Sequence, residues 1–353
     1  MRVLILKLAA LGDVVMALPM ITAAKSRAAD VHITWVCGRA VAPLLMQFAA
    51  IDRLVVVDER ALFRGRGVEK MVAVLATWRQ LGFAHYDLVV VGNADRRYRL
   101  LLKSVRADVF RTFRRDGRPQ PLAGRHHSDE YVRLITGVEG PYARRFDPPT
   151  FELPAIGKFR AQLDALGDGP VVAIAPGGAR NMMGDQLWRR WPTRHYVAFA
   201  EQLIERGLRV VVLGGPTDTE MIPSLSHLPL LNLIGTTDLP ELVGVMSLAD
   251  VVVSHDTSFI HLARLAKRPV VGLFGPTMPF EKLFPSDGSI SIWGGAHLSC
   301  RPCYDGVNFH DCPDNQCMKS IDVNEVVAAV TRVLARTDER DVCETRRPAR
   351  RAQ

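Results

Sequence analysis

The stretch from Ala249 to Thr277 constrains the fold of this chain more than any other. Ala249 to Val253 is a short apolar run that reads as a buried strand. Ser254-His255-Asp256-Thr257-Ser258 follows and opens a segment in which Ile260, Leu262, Ala263, Leu265 and Ala266 recur at helical spacing. A second apolar run, Pro269 to Phe274, comes at once and stops at Gly275-Pro276-Thr277. Strand, polar turn, helix and strand make one βαβ unit. Asp, Thr and Ser at a helix start leave hydroxyls and backbone N–H groups pointing outward, which either caps the helix or receives an anion.

The same alternation runs through the chain twice. In the first half we expect strands at Val3–Leu6, His32–Cys37, Arg53–Val57 and Asp87–Val91. Helices are expected at Asp13–Ser26, with Pro19 as a kink, and at Val41–Phe48 and Lys70–Leu81. Pro148-Pro149 and Pro154 mark a linker. The second half repeats the pattern, with strands at Val171–Ala175, Arg209–Leu213 and Leu231–Ile234 before the opening unit. Helix Val323–Leu334 closes it. This is α/β organisation with parallel sheets. The expected boundaries are 1–155 for the first domain, 156–335 for the second and 336–353 for an Arg-rich disordered tail.

The chain has 353 residues, enough for two domains with separate cores. Its 48% apolar and 23% charged content is that of a soluble globular protein. No apolar run reaches membrane-spanning length, and no small-residue cleavage site follows the first strand, so a cytoplasmic location is expected. The formal net charge of +8 suggests an anionic partner. The basic residues between Arg96 and Arg145, including Arg111, Arg114, Arg115, Arg118, Arg125 and Arg133, have few carboxylates among them and read as an anion-facing surface. Aromatics such as Tyr98, Phe110 and Phe113 interleave with that run sparsely, which argues against nucleic acid.

In open α/β sheets ligands bind beyond the carboxyl ends of the strands. Pro176-Gly177-Gly178, Gly214-Gly215-Pro216, Asp256-Thr257-Ser258 and Gly275-Pro276-Thr277 would therefore line one crevice, with glycines letting backbone amides approach a phosphate. Neither a G-x-G-x-x-G fingerprint nor a Walker-A sequence is present, against a nicotinamide dehydrogenase or a P-loop nucleotidase. Cys300, Cys303, Cys312 and Cys317 cluster near the end of the second half, while Cys37 reads as core. Their spacing leaves two readings open, a structural metal site or a set of reduced or reversibly paired thiols.

Taken in order, several motifs resemble glycosyltransferase family 9, the bacterial heptosyltransferases of the lipopolysaccharide inner core. They are Met1 to Lys7 with Gly12-Asp13 through Pro19, Arg190-Trp191-Pro192, and Leu213-Gly214-Gly215-Pro216. Asp256-Thr257-Ser258 with His261-Leu262-Ala263, and Phe274-Gly275-Pro276-Thr277, complete the series. The resemblance runs from Met1 to about Leu334. It implies two Rossmann-like domains facing across a cleft, the GT-B architecture, and inverting sugar transfer without a required metal or other cofactor.

By that resemblance Asp13, beside Gly12, is the general base; read from the residues alone, it is equally an N-cap. Arg189 stands where the family usually has lysine, and with Asp256, Thr257, Ser258 and His261 it is expected at the donor phosphates. Asp218 is expected at the nucleotide ribose, and Gly177, Gly178, Gly214 and Gly215 at the backbone loops. Ser258 replaces a glycine of many relatives, and the loop Gly177 to Gly184 also departs from the pattern.

The implied donor is an ADP-sugar, with heptose the expected group. The implied acceptor is an anionic lipid-linked or polysaccharide glycan, with peripheral contact at the inner membrane. A different nucleotide sugar, or binding without catalysis, are the alternatives.

Overall fold

The structure is a computed structural model that describes residues 1–93, 96–112, 122–143, 145–181, 184–284, 288–304, 309, 312 and 314–345. The chain forms two units. One comprises Met1–Pro154 with Phe280–Phe284 and Tyr304–His310; the other comprises Ala155–Pro279, Pro285–Cys303 and Asp311–Gln353. The main break falls between Pro154 and Ala155. The assignment of two short later segments to the first unit has no counterpart in the sequence reading.

The first half supplies β1 (Arg2–Leu6), α1 (Leu11–Ala17), α2 (Pro19–Lys25), β2 (His32–Gly38), α3 (Ala42–Leu45) and β3 (Arg53–Val57). After these come α4 (Glu59–Arg64), α5 (Gly67–Leu81), β4 (His85–Val91), β5 (Arg106–Thr112) and α6 (His127–Thr136). Its five strands form a parallel sheet in the order β3-β2-β1-β4-β5. The expected single helix at Asp13–Ser26 is two helices. Pro19 has no N–H to offer the preceding turn, so the chain closes there with a tight Leu18 N to Val15 O bond and restarts with proline at the first helical position.

The basic segment is more ordered than its charge suggested. It holds β5 and α6, and α6 ends at Gly137 with φ +81, the left-handed conformation glycine adopts readily. Three of its arginines are committed internally. Arg111 donates to the carbonyls of Leu134 and Ile135 at 3.0 and 2.7 Å, and Arg125 and Arg133 flank the buried Glu130 at 3.0 and 3.5 Å. The run is therefore not a uniform anion-facing surface. Arg114, Arg115 and Arg118 lie outside the described residues.

The second half supplies α7 (Gly157–Asp164), β6 (Val171–Ala175), a small hairpin of β7 (Arg180–Asn181) and β8 (Gly184–Asp185), α8 (Thr193–Glu205) and β9 (Arg209–Val212). It continues with α9 (Ile222–Leu225), β10 (Leu231–Asn232), α10 (Leu239–Met246), β11 (Val251–His255), α11 (Ser258–Leu265) and β12 (Val270–Phe274). The last elements are α12 (Pro279–Lys282), β13 (Ile290–Trp293), α13 (Gln316–Lys319) and α14 (Val323–Thr345). The six-stranded sheet is parallel in the order β10-β9-β6-β11-β12-β13. β6, β11 and β12 are buried along their whole length, as strands covered on both faces must be. Helix α14 runs past the expected end at Leu334, so the tail to Thr345 is helical rather than disordered; its apolar stripe Val326, Val327, Val330 and Val333 is buried.

Both sheets reverse their strand order once, between β1 and β4 and between β6 and β11. At such a point neighbouring connections leave to opposite faces and open a crevice beyond the carboxyl ends. The residues after β1, β6 and β11 are thus placed by topology, and these are the stretches that carry Asp13, Gly177-Gly178 and Asp256-Thr257.

Trp191 anchors the core of the second unit. It is 1% exposed, packs edge-on against Tyr196 and Phe199, and donates its ring N–H to the Ile321 carbonyl at 3.1 Å. Trp191→Ala should lower stability by about 3–5 kcal/mol in urea unfolding. Trp191→Phe, which keeps ring packing and loses the hydrogen bond, should cost much less, on the order of 1–3 kcal/mol.

Candidate functional site

In the second unit β6 runs into Pro176-Gly177-Gly178 and β9 runs toward Gly214-Gly215-Pro216. A single carboxylate joins these loops: Asp218 accepts from the Gly178 N–H on Oδ1 and from the Gly215 N–H on Oδ2, both at 2.8 Å. A Cβ at Gly177 would overlap the Asp218 carboxyl carbon, so that position requires glycine for close approach, and one at Gly214 would press on Ile234 at 3.0 Å. Arg190 completes the clasp. It lies 3.2 Å from Asp218, donates twice to the Gly178 carbonyl at 2.9 and 2.6 Å, and reaches Glu220 at 2.7 Å. Its hydrogen bond is the main cause that holds Glu220 below the usual carboxylate range.

Asp218 is 3% exposed, with both oxygens bonded to loop amides. That geometry shapes the two glycine loops.

The start of α11 is held in a comparable way. Thr257 is its N-cap and accepts from the Phe259 N–H at 3.4 Å; Ser254 bonds the Ala175 carbonyl at 3.0 Å and lies 3.3 Å from the Thr257 hydroxyl. Asp256, buried at 2% exposure, accepts from the Thr277 hydroxyl at 2.6 Å and pairs with Arg189 at 2.8 Å. Arg189 also donates to the Asp256 carbonyl, and to Gln186 at 2.7 Å. A Cβ at Gly178, where φ is +83, would meet the Thr257 methyl at 3.2 Å, so the β6 loop comes up against the helix start. The structure thus brings Gly177-Gly178, Asp256-Thr257, Thr277 and Arg189 together, and Asp218 ties Gly214-Gly215 to them. Ser258 sits half-buried at the first position of α11, where backbone amides face outward.

Two histidines differ from expectation. His261 is 3% exposed on α11 and packs within the unit rather than standing open to a ligand. His255, which the sequence pattern places in the polar turn without a role, is the last residue of β11. It is fully buried, its Nδ1 lies 2.9 Å from the Tyr196 hydroxyl, and its ordinary pKa is driven down to about 3, first by burial and then by the charges of Arg189 and Arg190. A neutral ring can take the tyrosine proton and adds no third cation beside the two arginines.

In the first unit Asp13 is the third residue of α1. Ala10 is the N-cap and makes no side-chain bond, so Asp13 is not the cap that the alternative reading required. Its side chain is 37% exposed and lies 3.2 Å from the ammonium of Lys7, which is 3% exposed. Lys7 also donates to the Ala9 carbonyl at 2.8 Å and lies over the Tyr131 ring at 5.4 Å. Burial first, then Asp13 and Tyr304, pushes the Tyr131 phenol well above its usual range, so it stays protonated. Asp13 is a partly exposed carboxylate paired with a buried ammonium.

The four clustered cysteines are free thiols lining a cavity of about 80 Å³ with Trp188, Pro276 and Leu298. Burial leads in raising Cys303, followed by Cys312 and Cys300. Burial also leads in pushing Cys317 up to about 11, and the other three thiols add to it.

Residues 74–312 match the sequence profile of Glycosyltransferase family 9 (heptosyltransferase). Lipopolysaccharide heptosyltransferase 1 of Pseudomonas aeruginosa is 26% identical over 325 residues, 86% of this chain and 86% of that protein. Lipooligosaccharide heptosyltransferase 2 of Haemophilus influenzae is 30% identical over 138 residues; there the chain spans only 38% of its relative's length. Among solved structures, the E. coli ADP-heptose lps heptosyltransferase II superposes with a TM-score of 0.69 at 19% identity, covering 96% of this chain and 100% of that one. At that identity the likeness is one of fold.

The buried neutral His255 has a consequence for pH. Between about 6.5 and about 3 the unfolded chain binds a proton at this residue that the folded chain does not, so stability falls as pH falls through that window. The slope from this one group should approach roughly 1.4 kcal/mol per pH unit. Urea unfolding at pH 7, 6 and 5 should show a shallower dependence for His255→Asn than for wild type.

Proposed function

The chain belongs to glycosyltransferase family 9, and on that premise we propose that it is an inverting heptosyltransferase acting in lipopolysaccharide core assembly. The donor is ADP-heptose, the donor named for the E. coli relative, and the acceptor is an anionic lipid-linked glycan. The observation that carries this reading is the meeting of Arg189 and Thr277 on Asp256, with Gly178 against Thr257, at the start of α11.

In the proposed reaction Asp13 takes the proton of the acceptor hydroxyl as its oxygen attacks the anomeric carbon. The bond from that carbon to the diphosphate oxygen breaks on the opposite side, which inverts the configuration. Charge then develops on the leaving ADP. The amides at the N-terminus of α11, the Thr257 and Ser258 hydroxyls and the Arg189 guanidinium stabilise it, with no metal given a step. Arginine suits this place because its fork can hold Asp256 and still present donors to a phosphate. Asp218 and Arg190 act indirectly, by fixing the glycine loops that approach the nucleotide. Lys7 holds Asp13 in place.

We place the protein in the cytoplasm, in peripheral contact with the inner membrane. Among the described residues no helix is long and apolar enough to cross a membrane. Support for peripheral contact comes from the exposed apolar residues Val68, Met71, Val72 and Leu75 on α5, with the exposed Arg60 and Lys70 nearby.

Asp13→Asn should lower kcat for heptose transfer by about 10²–10⁴-fold, with ADP affinity unchanged in a direct titration. Equal turnover by the variant would remove Asp13 from the mechanism. ADP binding without transfer by either protein would mark a non-catalytic binder.

A further inference from the structure

Helix α5 carries two apolar faces, and the fold buries only one of them. Ala73, Val74, Thr77 and Leu81 are buried within the first unit. Val68, Met71, Val72 and Leu75 recur at i, i+3, i+4 and i+7, which makes a second stripe on the opposite side of the helix. These four are 69%, 56%, 57% and 50% exposed. A contiguous apolar patch left in water marks a surface that meets something else.

The stripe borders a groove of about 820 Å³ between α4 and α5. Val68, Val72 and Ala76 form its apolar wall, and Arg39, Arg60 and Arg64 also line it. Arg60 and Arg64 stand one turn apart on α4, both exposed. Arg39 is brought in by a built contact. The buried Glu59 accepts from the N–H groups of Arg39 and Ala40, and a Cβ at Gly38 would overlap its carboxylate.

The two acids of the groove are engaged locally. Asp58 caps α4, accepting from the Ala61 N–H at 3.0 Å, and lies 3.5 Å from Arg39. Glu69 accepts from the Arg66 N–H at 2.7 Å. Cations therefore outnumber acids beside an exposed apolar wall.

That pairing fits a surface with anionic groups outside and hydrocarbon beneath. A second copy of the chain fits less well, because stacking this face on itself sets arginines against arginines while its acids are already engaged. We propose that the α4–α5 face docks onto bilayers containing acidic phospholipid. Val68, Met71, Val72 and Leu75 enter the acyl-chain boundary with α5 parallel to the membrane plane. Arg39, Arg60 and Arg64 receive lipid phosphates in the groove. Arginine suits this task, since its stem lies along apolar surface while its fork holds a phosphate. The inference rests on the peripheral-contact reading and adds to it a headgroup requirement, an orientation and the residues that supply each.

The test is co-sedimentation of the full chain with vesicles of phosphatidylcholine alone or with about 30 mol% phosphatidylglycerol. Wild-type protein should pellet with the acidic vesicles, much less with phosphatidylcholine, and less with either as salt is raised. Met71→Glu/Leu75→Glu and Arg60→Glu/Arg64→Glu should each bind about tenfold or more weakly. Their circular dichroism should match wild type, because all four side chains are exposed. Met46→Glu changes an exposed apolar residue outside the groove and should bind as wild type does.

Wild-type affinity in either double variant would overturn the assignment of this face and leave peripheral contact standing. No binding of wild type to either vesicle would overturn both. Equal binding to the two lipid mixtures would remove the headgroup requirement and with it the role of the groove. A wild-type dimer in light scattering that Met71→Glu/Leu75→Glu splits would give the stripe to a second copy instead. None of these readouts involves sugar transfer, so they stand apart from the donor and acceptor.

Discussion

The carboxylate of Asp256 is the point on which the second unit's loops depend. It is nearly fully buried, and a charge in that position requires partners. It has them from different parts of the chain: the guanidinium of Arg189 ahead of α8, and the hydroxyl of Thr277 beyond β12. Removing one side of such a pair typically costs about 3–5 kcal/mol, because the other charge is left buried and unmatched. The pair therefore fixes where the start of α11 stands relative to its neighbouring loops. Asp218 repeats the device one strand away, with backbone amides of two loops on its oxygens and Arg190 beside it. Two buried acids, each with an arginine from the adjacent pair Arg189-Arg190, hold the four loops in one arrangement.

This explains how loops as short and glycine-rich as these are held in one arrangement. Glycine loops are entropically costly to order, and here the ordering comes from side chains that never need to touch a ligand. The neutral His255 belongs to the same economy. With two arginines close by, a charged imidazole would add repulsion, and burial beside Tyr196 keeps it uncharged. The first unit solves a smaller problem with the same means, one buried lysine holding one half-exposed aspartate after β1.

Much of this was legible in the sequence because strands buried on both faces leave continuous apolar runs. Val171–Ala175, Val3–Leu6 and the β11–α11–β12 unit stand close to where their patterns put them. The loop motifs were legible for a related reason, since strand ends in a parallel sheet must carry the ligand chemistry. What failed to show was whatever depended on long-range partners. β5 and α6 were hidden under arginines whose carbonyl and carboxylate acceptors lie at other positions of the chain. The inward role of Asp218 was invisible because an acid before a helix looks the same whether it meets a ribose or two loop amides. The break at Pro19 and the extension of α14 are boundary effects, the least determined part of any periodic pattern.

The central claim is that these loops form the site of a nucleoside diphosphate. Calorimetric titration of the wild-type protein and Arg189→Ala with ADP, alongside UDP and GDP, tests it most directly. The account predicts one ADP per chain, selectivity over the other two, and a loss of about 10–100-fold in affinity for a variant whose circular dichroism shows it folded. Absence of binding by any nucleotide, or ADP affinity unchanged in the folded variant, would contradict it.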